Sequence, residues 1–217
     1  MVGCLHLPPD GGEAGRLAEL AGRFSPLVEQ NDARTVLCDL NGLDRLLGSP
    51  ADVAAAIVKL AAEWGMRPNV AIAATPDAAL LAARHLVGVN IIEPGHEPAV
   101  LRSLPVDVLP ASDEFFDALA RWGIRTLGQL AELPPLGLVE RLGEEAARMR
   151  LLAMGEFERP LRIVVPREEY EARQELEEPA RLLEPLLFII SAQLNDLVKH
   201  LAVQALAARR LTLTLEL

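Results

Sequence analysis

Aromatic residues make up only 4% of the 217 positions, so the core cannot rest on stacked rings and must be packed from aliphatic side chains. Alanine and leucine dominate, which leans the reading toward helix. The only two cysteines, Cys4 and Cys38, lie in apolar strand-like runs without metal-ligand spacing to cysteine or histidine. Buried reduced thiols are expected, and a cytoplasmic compartment with them. The four histidines, His6, His85, His96 and His200, fall on separate elements without paired spacing, which argues against a metal site. No glycine-rich phosphate loop occurs. No apolar run is long enough to span a bilayer, and the opening MVGCLHLPPD lacks the basic region of a signal peptide. Positive charge is short as well: 21 Lys and Arg face 31 Asp and Glu, for a net charge of -10. That argues against strong nonspecific nucleic-acid binding by the whole surface and leaves room only for a local, salt-sensitive site.

With 51% hydrophobic residues, the chain can bury a real core and could hold two or three small units. Residues 2–7 read as a strand ended by Pro8-Pro9, and a short helix is expected over 14–21. Residues 24–39, FSPLVEQNDARTVLCD, hold an aromatic-Ser-Pro turn and an alternating extended run at 27–29. A polar turn is expected at 30–32, followed by a β-branched, apolar strand at 35–38. Ser49-Pro50-Ala51-Asp52 is a helix start, with Ser49 as N-cap and proline in the first turn. That helix is expected to end at Gly65, a strand to follow over 69–74, and Thr75-Pro76-Asp77 to cap a helix reaching about Leu86. Residues 89–93 read as a strand and 97–103 as a short helix. Residues 112–154 are helical in pattern: one helix starts at Ser112 and ends at Trp122-Gly123, a second is capped by Thr126, and a third follows Gly143. Residues 155–166 read as a linker and 167–176 as an exposed strand. A long amphipathic helix is expected over 183–206, and the strict alternation of 211–217 predicts a half-buried strand.

The stretch at 24–39 resembles the palm of the Y-family (translesion) DNA polymerases, which carries an aromatic-Ser-Pro-x-Val-Glu segment and then a strand with the metal-binding acids. Counted from Glu29, the final Asp of that pattern falls on Asp39. The two acids that hold the catalytic metals fall on Arg34 and Thr35, and the family's Ser falls on Asp32. The Asp of the first palm strand falls on His6. A guanidinium cannot ligate Mg²⁺, and two-metal phosphoryl transfer needs clustered carboxylates. The resemblance therefore implies a dead site, with no catalytic residues, no metal and no cofactor. Asp10, in the turn after the prolines, reads as a solvated turn residue. Asp39 is expected to cap a helix or to pair with Arg34. VAIAATPDAALLAAR resembles another palm segment, in which Arg84 falls near a basic position that approaches nucleotide phosphates; a solvated or ion-paired helix end is at least as good a reading. LPVDVL, at 104–109, resembles the palm-to-thumb junction.

GIRTLGQL, at 123–130, resembles the helix-hairpin-helix of the Y-family thumb, where a tight hairpin aims backbone N–H groups at a DNA phosphate. The candidate DNA-binding residues are Arg121, Gly123, Arg125, Thr126 and Gly128, with Gly143 at a second hairpin. There Glu144 and Glu145 occupy the first turn, complement the helix dipole and would repel a phosphate. The resemblance implies an α+β fold in three parts: a palm-like mixed sheet with helices at 1–110, lacking fingers; a helical thumb at 111–165; and the start of a little-finger-like α/β unit at 166–217. An incomplete little finger suggests a fragment of a longer protein, and whether the fingers were lost naturally or removed is left open. Among the branches, the lost acids and the spacing of these motifs look most like the ImuB-type accessory subunits. That implies a noncatalytic adaptor in DNA repair and SOS-type translesion mutagenesis. It would bind DNA weakly and partners such as a replicative-type polymerase, a sliding clamp and a RecA-like protein, away from membranes. The alternative is an active nucleotidyltransferase using unaligned acids such as Asp10, Asp32 and Asp39.

Overall fold

The computed structural model describes residues 1–163, 171–176, 182–203, 207–208 and 210–214. Five strands, β1 (Val2–His6), β2 (Val28–Asp32), β3 (Thr35–Asp39), β4 (Asn69–Ala73) and β5 (Val89–Ile91), form one mixed sheet in the order β2-β3-β1-β4-β5. β1 lies at the centre, antiparallel to β3 and β4, and only β5 runs parallel to its neighbour. Gly3 keeps β1 close to the chain beside it, since a Cβ there would come within 2.6 Å of Leu40 Cδ1. The polar turn expected at 30–32 is instead strand: Gln30, Asn31 and Asp32 belong to β2, and the reversal is made by Ala33 and Arg34. An edge strand tolerates polar side chains because its outer rim is wet, and the register shift between Gln30 and Asp32 bends it there.

Strand alternation splits the core in two. Leu5, Val36, Cys38, Val70 and Ile72 face α1 (Leu17–Gly22) and α3 (Pro50–Glu63), with the short α2 (Asp44–Leu47) between them in sequence. A full capping box between Ser49 and Asp52 starts α3. Val2, Cys4, Leu37, Ala71 and Ala73 face the opposite way, onto α4 (Pro76–His85), which starts at an N-cap from Thr75. Both thiols are buried, and burial pushes the Cys38 thiol up to about 12.

The core over α4 runs on without a break into α5 (Glu97–Leu101), a 3-10 turn at Val106–Val108, α6 (Asp113–Arg121), α7 (Leu127–Ala131) and α8 (Pro135–Met154). Leu101, Phe115, Leu119, Leu127, Leu130 and Met149 share it with the sheet. Position 110 is therefore crossed by a common core. Gly143, at φ +74°, breaks α8 into two helical arms, as a third helix after Gly143 requires. By its contacts the chain forms two units, Met1–Val164 and Val165–Leu217. In the second, α9 (Leu183–Val203) is the described helix. The strands expected at 167–176 and 211–217 do not appear where they are described: 171–176 and 211–214 carry no regular structure. An alternating pattern needs a partner strand to become a ladder, and none pairs with these residues within the described part. The remainder of both expectations, and the last three residues of the expected helix, lie outside the described residues.

Candidate functional site

The positions that would carry metal-binding acids meet at one end of β1 and β3. Cross-strand register places His6 opposite Thr35, and the His6 Nδ1 to Thr35 Oγ1 distance is 2.9 Å. Arg34, in the turn just before β3, folds back over the end of β1. Its Nε donates to the Leu7 carbonyl at 2.8 Å, its Nη2 donates to the Pro8 carbonyl, and its own carbonyl accepts the Leu7 N–H at 2.8 Å. The guanidinium thus takes up the main-chain oxygens at the end of β1. Asp32 accepts the Arg34 N–H at 2.8 Å and pairs with Arg84 of α4. Burial pushes its carboxyl up, but the hydrogen bonds from Arg34 and Thr35 and the Arg84 charge outweigh it, and the group sits below its ordinary value. His6 is held below its ordinary value by burial first and then by Arg84 and Arg34. At this corner one carboxylate, Asp32, meets the Arg84 guanidinium and the Arg34 N–H, while the Arg34 guanidinium is spent on main-chain carbonyls.

The unaligned acids are not brought together. Asp10 is exposed in the turn after the prolines. Asp39 lies at the far end of β3, opposite Val2, and accepts the Asn41 N–H at 2.9 Å. It neither starts a helix nor meets Arg34, which corrects both expectations for it; five residues of extended strand separate the two ends. Among the described residues no group of three or more His, Cys, Asp or Glu converges as a metal cage. Arg84 is the ion-paired helix end, and its partner is Asp32.

A second cluster joins residues far apart in the sequence. Arg159 donates to both Glu29 oxygens at 2.8 and 3.1 Å and to both Asp77 oxygens at 3.1 and 2.9 Å, and the Arg162 N–H adds a bond to Glu29 at 2.7 Å. The side chains of Arg159, Glu29 and Asp77 are 13%, 5% and 15% exposed. Burial pushes the Glu29 carboxyl up, yet the bonds from Arg159 and Arg162 hold it below its ordinary value. Thr75 Oγ1 donates to the Gly155 carbonyl at 2.8 Å, so residues 155–162, in the segment read as a linker, are strapped along α4 and β2. The one sequence signal was Glu29 itself. It is an acid on the inward face of a strand, and such an acid demands a cation.

The helical hairpin at Gly123 is built from its own amides. The N–H groups of Arg125 and Thr126 donate to the Gln129 Oε1, Leu127 donates to the Leu104 carbonyl and Gly128 to that of Arg102. Gly123, Ile124, Gln129 and Leu130 are likewise bonded within the protein. Gly128 allows a close approach, since a Cβ there would lie 3.1 Å from the Arg102 carbonyl oxygen. The expectation of free amides at this hairpin is therefore corrected: the Thr126 capping box and the contact with residues 102–104 take them up. Arg121 and Arg125 remain exposed beside Gly123. At the second hairpin Gly143 is exposed, and the Glu145 carboxylate turns to cap α6 through the Ser112 N–H and hydroxyl at 2.8 and 2.7 Å. Of the two acids expected to repel a phosphate there, Glu145 is thus engaged, and Glu144 has no such partner among the described residues.

No protein-family model matches the chain. It is 29% identical over 194 residues to Protein ImuB of Caulobacter vibrioides, covering 89% of this chain and 42% of that protein. It is 31% identical over 156 residues to DNA polymerase IV 2 of Mesorhizobium japonicum, covering 69% and 37% respectively. With DNA polymerase IV of Dehalococcoides mccartyi the identity is 32% over 142 residues, covering 64% and 36%. The chain thus spans well under half the length of these relatives. Among solved structures, the DinB family error-prone DNA polymerase from Sulfolobus solfataricus superposes with a TM-score of 0.54 at 18% identity, covering 68% of this chain and 46% of that one. An insertion ternary complex of Dbh DNA polymerase does so at 0.53 and 17%, covering 68% and 45%. These structural likenesses agree with the sheet and the helices after it, and with the sequence relatives they make this chain a Y-family DNA polymerase homologue of the ImuB type.

Proposed function

We propose that this chain is a noncatalytic adaptor of translesion DNA synthesis, binding DNA weakly and protein partners more strongly. The corner formed by His6, Arg34 and Thr35 carries the reading. Phosphoryl transfer by this fold needs carboxylates around two divalent ions, and a guanidinium bonded to the Leu7 and Pro8 carbonyls repels such ions instead. The likeness to Protein ImuB and to DNA polymerase IV supports a process of DNA repair by translesion synthesis. In the proposed layout residues 1–110 act as a palm, 111–165 as a thumb and 166–217 as the start of a little finger. DNA contact falls to Arg121 and Arg125 and to the turns at Gly123 and Gly143, with Thr126 and Gly128 shaping the hairpin between them. The partners would be a replicative-type polymerase, a sliding clamp and a RecA-like protein. No helix among the described residues is long and apolar enough to cross a membrane.

The test is binding to a labelled primer-template duplex across a salt series, with and without Mg²⁺, beside a nucleotide-incorporation assay. Binding that weakens as salt rises, ignores Mg²⁺ and is accompanied by no incorporation is the expected result. Mg²⁺-dependent incorporation by the pure protein would overturn the noncatalytic reading.

A further inference from the structure

Along α9 an aliphatic residue recurs at alternating steps of four and three: Leu183, Leu187, Ile190, Leu194, Leu197 and Leu201. These fall on successive core positions of a heptad repeat, and none of them is polar. On a helix such a row forms one continuous stripe. The stripe is open: Leu183 and Leu187 are 67% and 50% exposed, Leu194 is exposed, and Ile190, Leu197 and Leu201 are only half-buried. Phe188 and Ile189 broaden it near its start, while Ala192, Asn195, Asp196 and Lys199 fall on other faces. No other helix or strand is described in the same unit, Val165–Leu217, to cover it. An apolar stripe of this length left in water marks a contact surface.

We infer that α9 pairs with the α9 of a second copy of this chain, antiparallel about a two-fold axis, as a short coiled coil. The seam has the same spacing read from either end. Reversal about Ala192 sets Ile190 level with Leu194 of the second copy, Leu187 with its Leu197 and Leu183 with its Leu201. Every core position thus meets an aliphatic partner with no change of register. Charge decides the direction. Reversal brings Glu184 level with His200 of the second copy and beside its Lys199, whereas a parallel pair would set Glu184 against Glu184 and Lys199 against Lys199. Antiparallel helices also oppose their dipoles favourably. The net charge of -10 on the chain is not concentrated here, since α9 carries Glu184 and Asp196 against Lys199. The contact uses the same patch on both copies, so it closes at a dimer and builds no fibre. The seam is about 27 Å long, short for an obligate interface, which makes the dimer a reversible one.

Sedimentation equilibrium of the full chain over a concentration series is expected to show a reversible monomer–dimer equilibrium. Leu187→Glu with Leu194→Glu should raise its dissociation constant at least about a hundredfold, because each copy loses two leucines from the seam. Both side chains are exposed in the single chain, so this variant should keep the thermal unfolding curve of the dilute wild type. Ala192→Gln, on the face opposite the seam, should pair as the wild type does. Glu184→Lys should weaken pairing about threefold at low salt, and adding Lys199→Glu should restore it. A chain that stays monomeric at every concentration would overturn the proposal, and so would a dimer that the double glutamate variant leaves intact. Pairing of Glu184→Lys with wild-type affinity would overturn the antiparallel arrangement.

Discussion

Replacing Arg159 by methionine keeps most of the side chain's bulk and removes the charge that Glu29 and Asp77 share. Both acids are at most 15% exposed, so they would be left facing each other with little solvent to screen them. Removing one partner of a buried ion pair costs about 3–5 kcal/mol. The lower end applies here, since Asp77 retains some access to water and the Arg162 N–H stays bonded to Glu29. About 3 kcal/mol lowers the midpoint of thermal unfolding by roughly 6–12 °C in a domain of this size. The pH dependence separates a charge effect from a packing effect. In the wild type the Glu29 carboxyl is held below its ordinary value. Its contribution is therefore complete above the unfolded-state value and fades as pH falls through the lower folded value. In Arg159→Met the burial that pushes Glu29 up is no longer opposed by the guanidinium, so the folded value rises above the unfolded one. That variant is penalised near neutral pH and recovers as pH falls through the raised value. Urea unfolding near pH 7 and near pH 5 should thus show the gap between the two proteins narrowing on acidification. A gap below about 1 kcal/mol at neutral pH, far under the range for a buried pair, would refute the reasoning. So would a gap that ignores pH.

Arg34→Asp with Thr35→Glu should give measurable Mn²⁺ binding by electron paramagnetic resonance, where the wild type shows none, because the Leu7 and Pro8 carbonyls are released beside two carboxylates. Gly155→Ala should destabilise the protein by about 2 kcal/mol or more in thermal unfolding: the residue ends α8 at φ +71°, and a Cβ there would lie 2.5 Å from that of Glu97. Cys4 and Cys38 should resist a thiol reagent in the native state and react together on unfolding, since both are fully buried and their thiols are pushed up; prompt native-state labelling would contradict that burial.

Local chemistry was legible wherever a helix start carries its own signature. Ser49, Thr75, Ser112 and Thr126 all cap the helices that their neighbours announced. The resemblance to the polymerase palm, counted from Glu29, put Arg34 and Thr35 together with His6, and the strand register sets Thr35 opposite His6. Polar composition misled at Asn31 and Asp32, where an edge strand admits side chains that a turn would also take. The strap was illegible for a different reason: Arg159 meets Glu29 across 130 positions, and nothing near residue 159 signals a partner that distant. The hairpin at Gly123 looked like an open phosphate cradle because its sequence could not show that residues 102–104 would reach its amides first.

The guanidinium over Leu7 and Pro8 has a consequence for how this corner responds to change. A metal ion exchanges with solvent and can be stripped by a chelator; a cation carried on the chain does neither, so the end of β1 is held regardless of the ions around it. The same tether acts as a ratchet. Arg34→Asp alone would set a carboxylate against two carbonyl oxygens before any ion arrives to separate them. Building an acidic corner here one substitution at a time therefore begins with a step that weakens the fold.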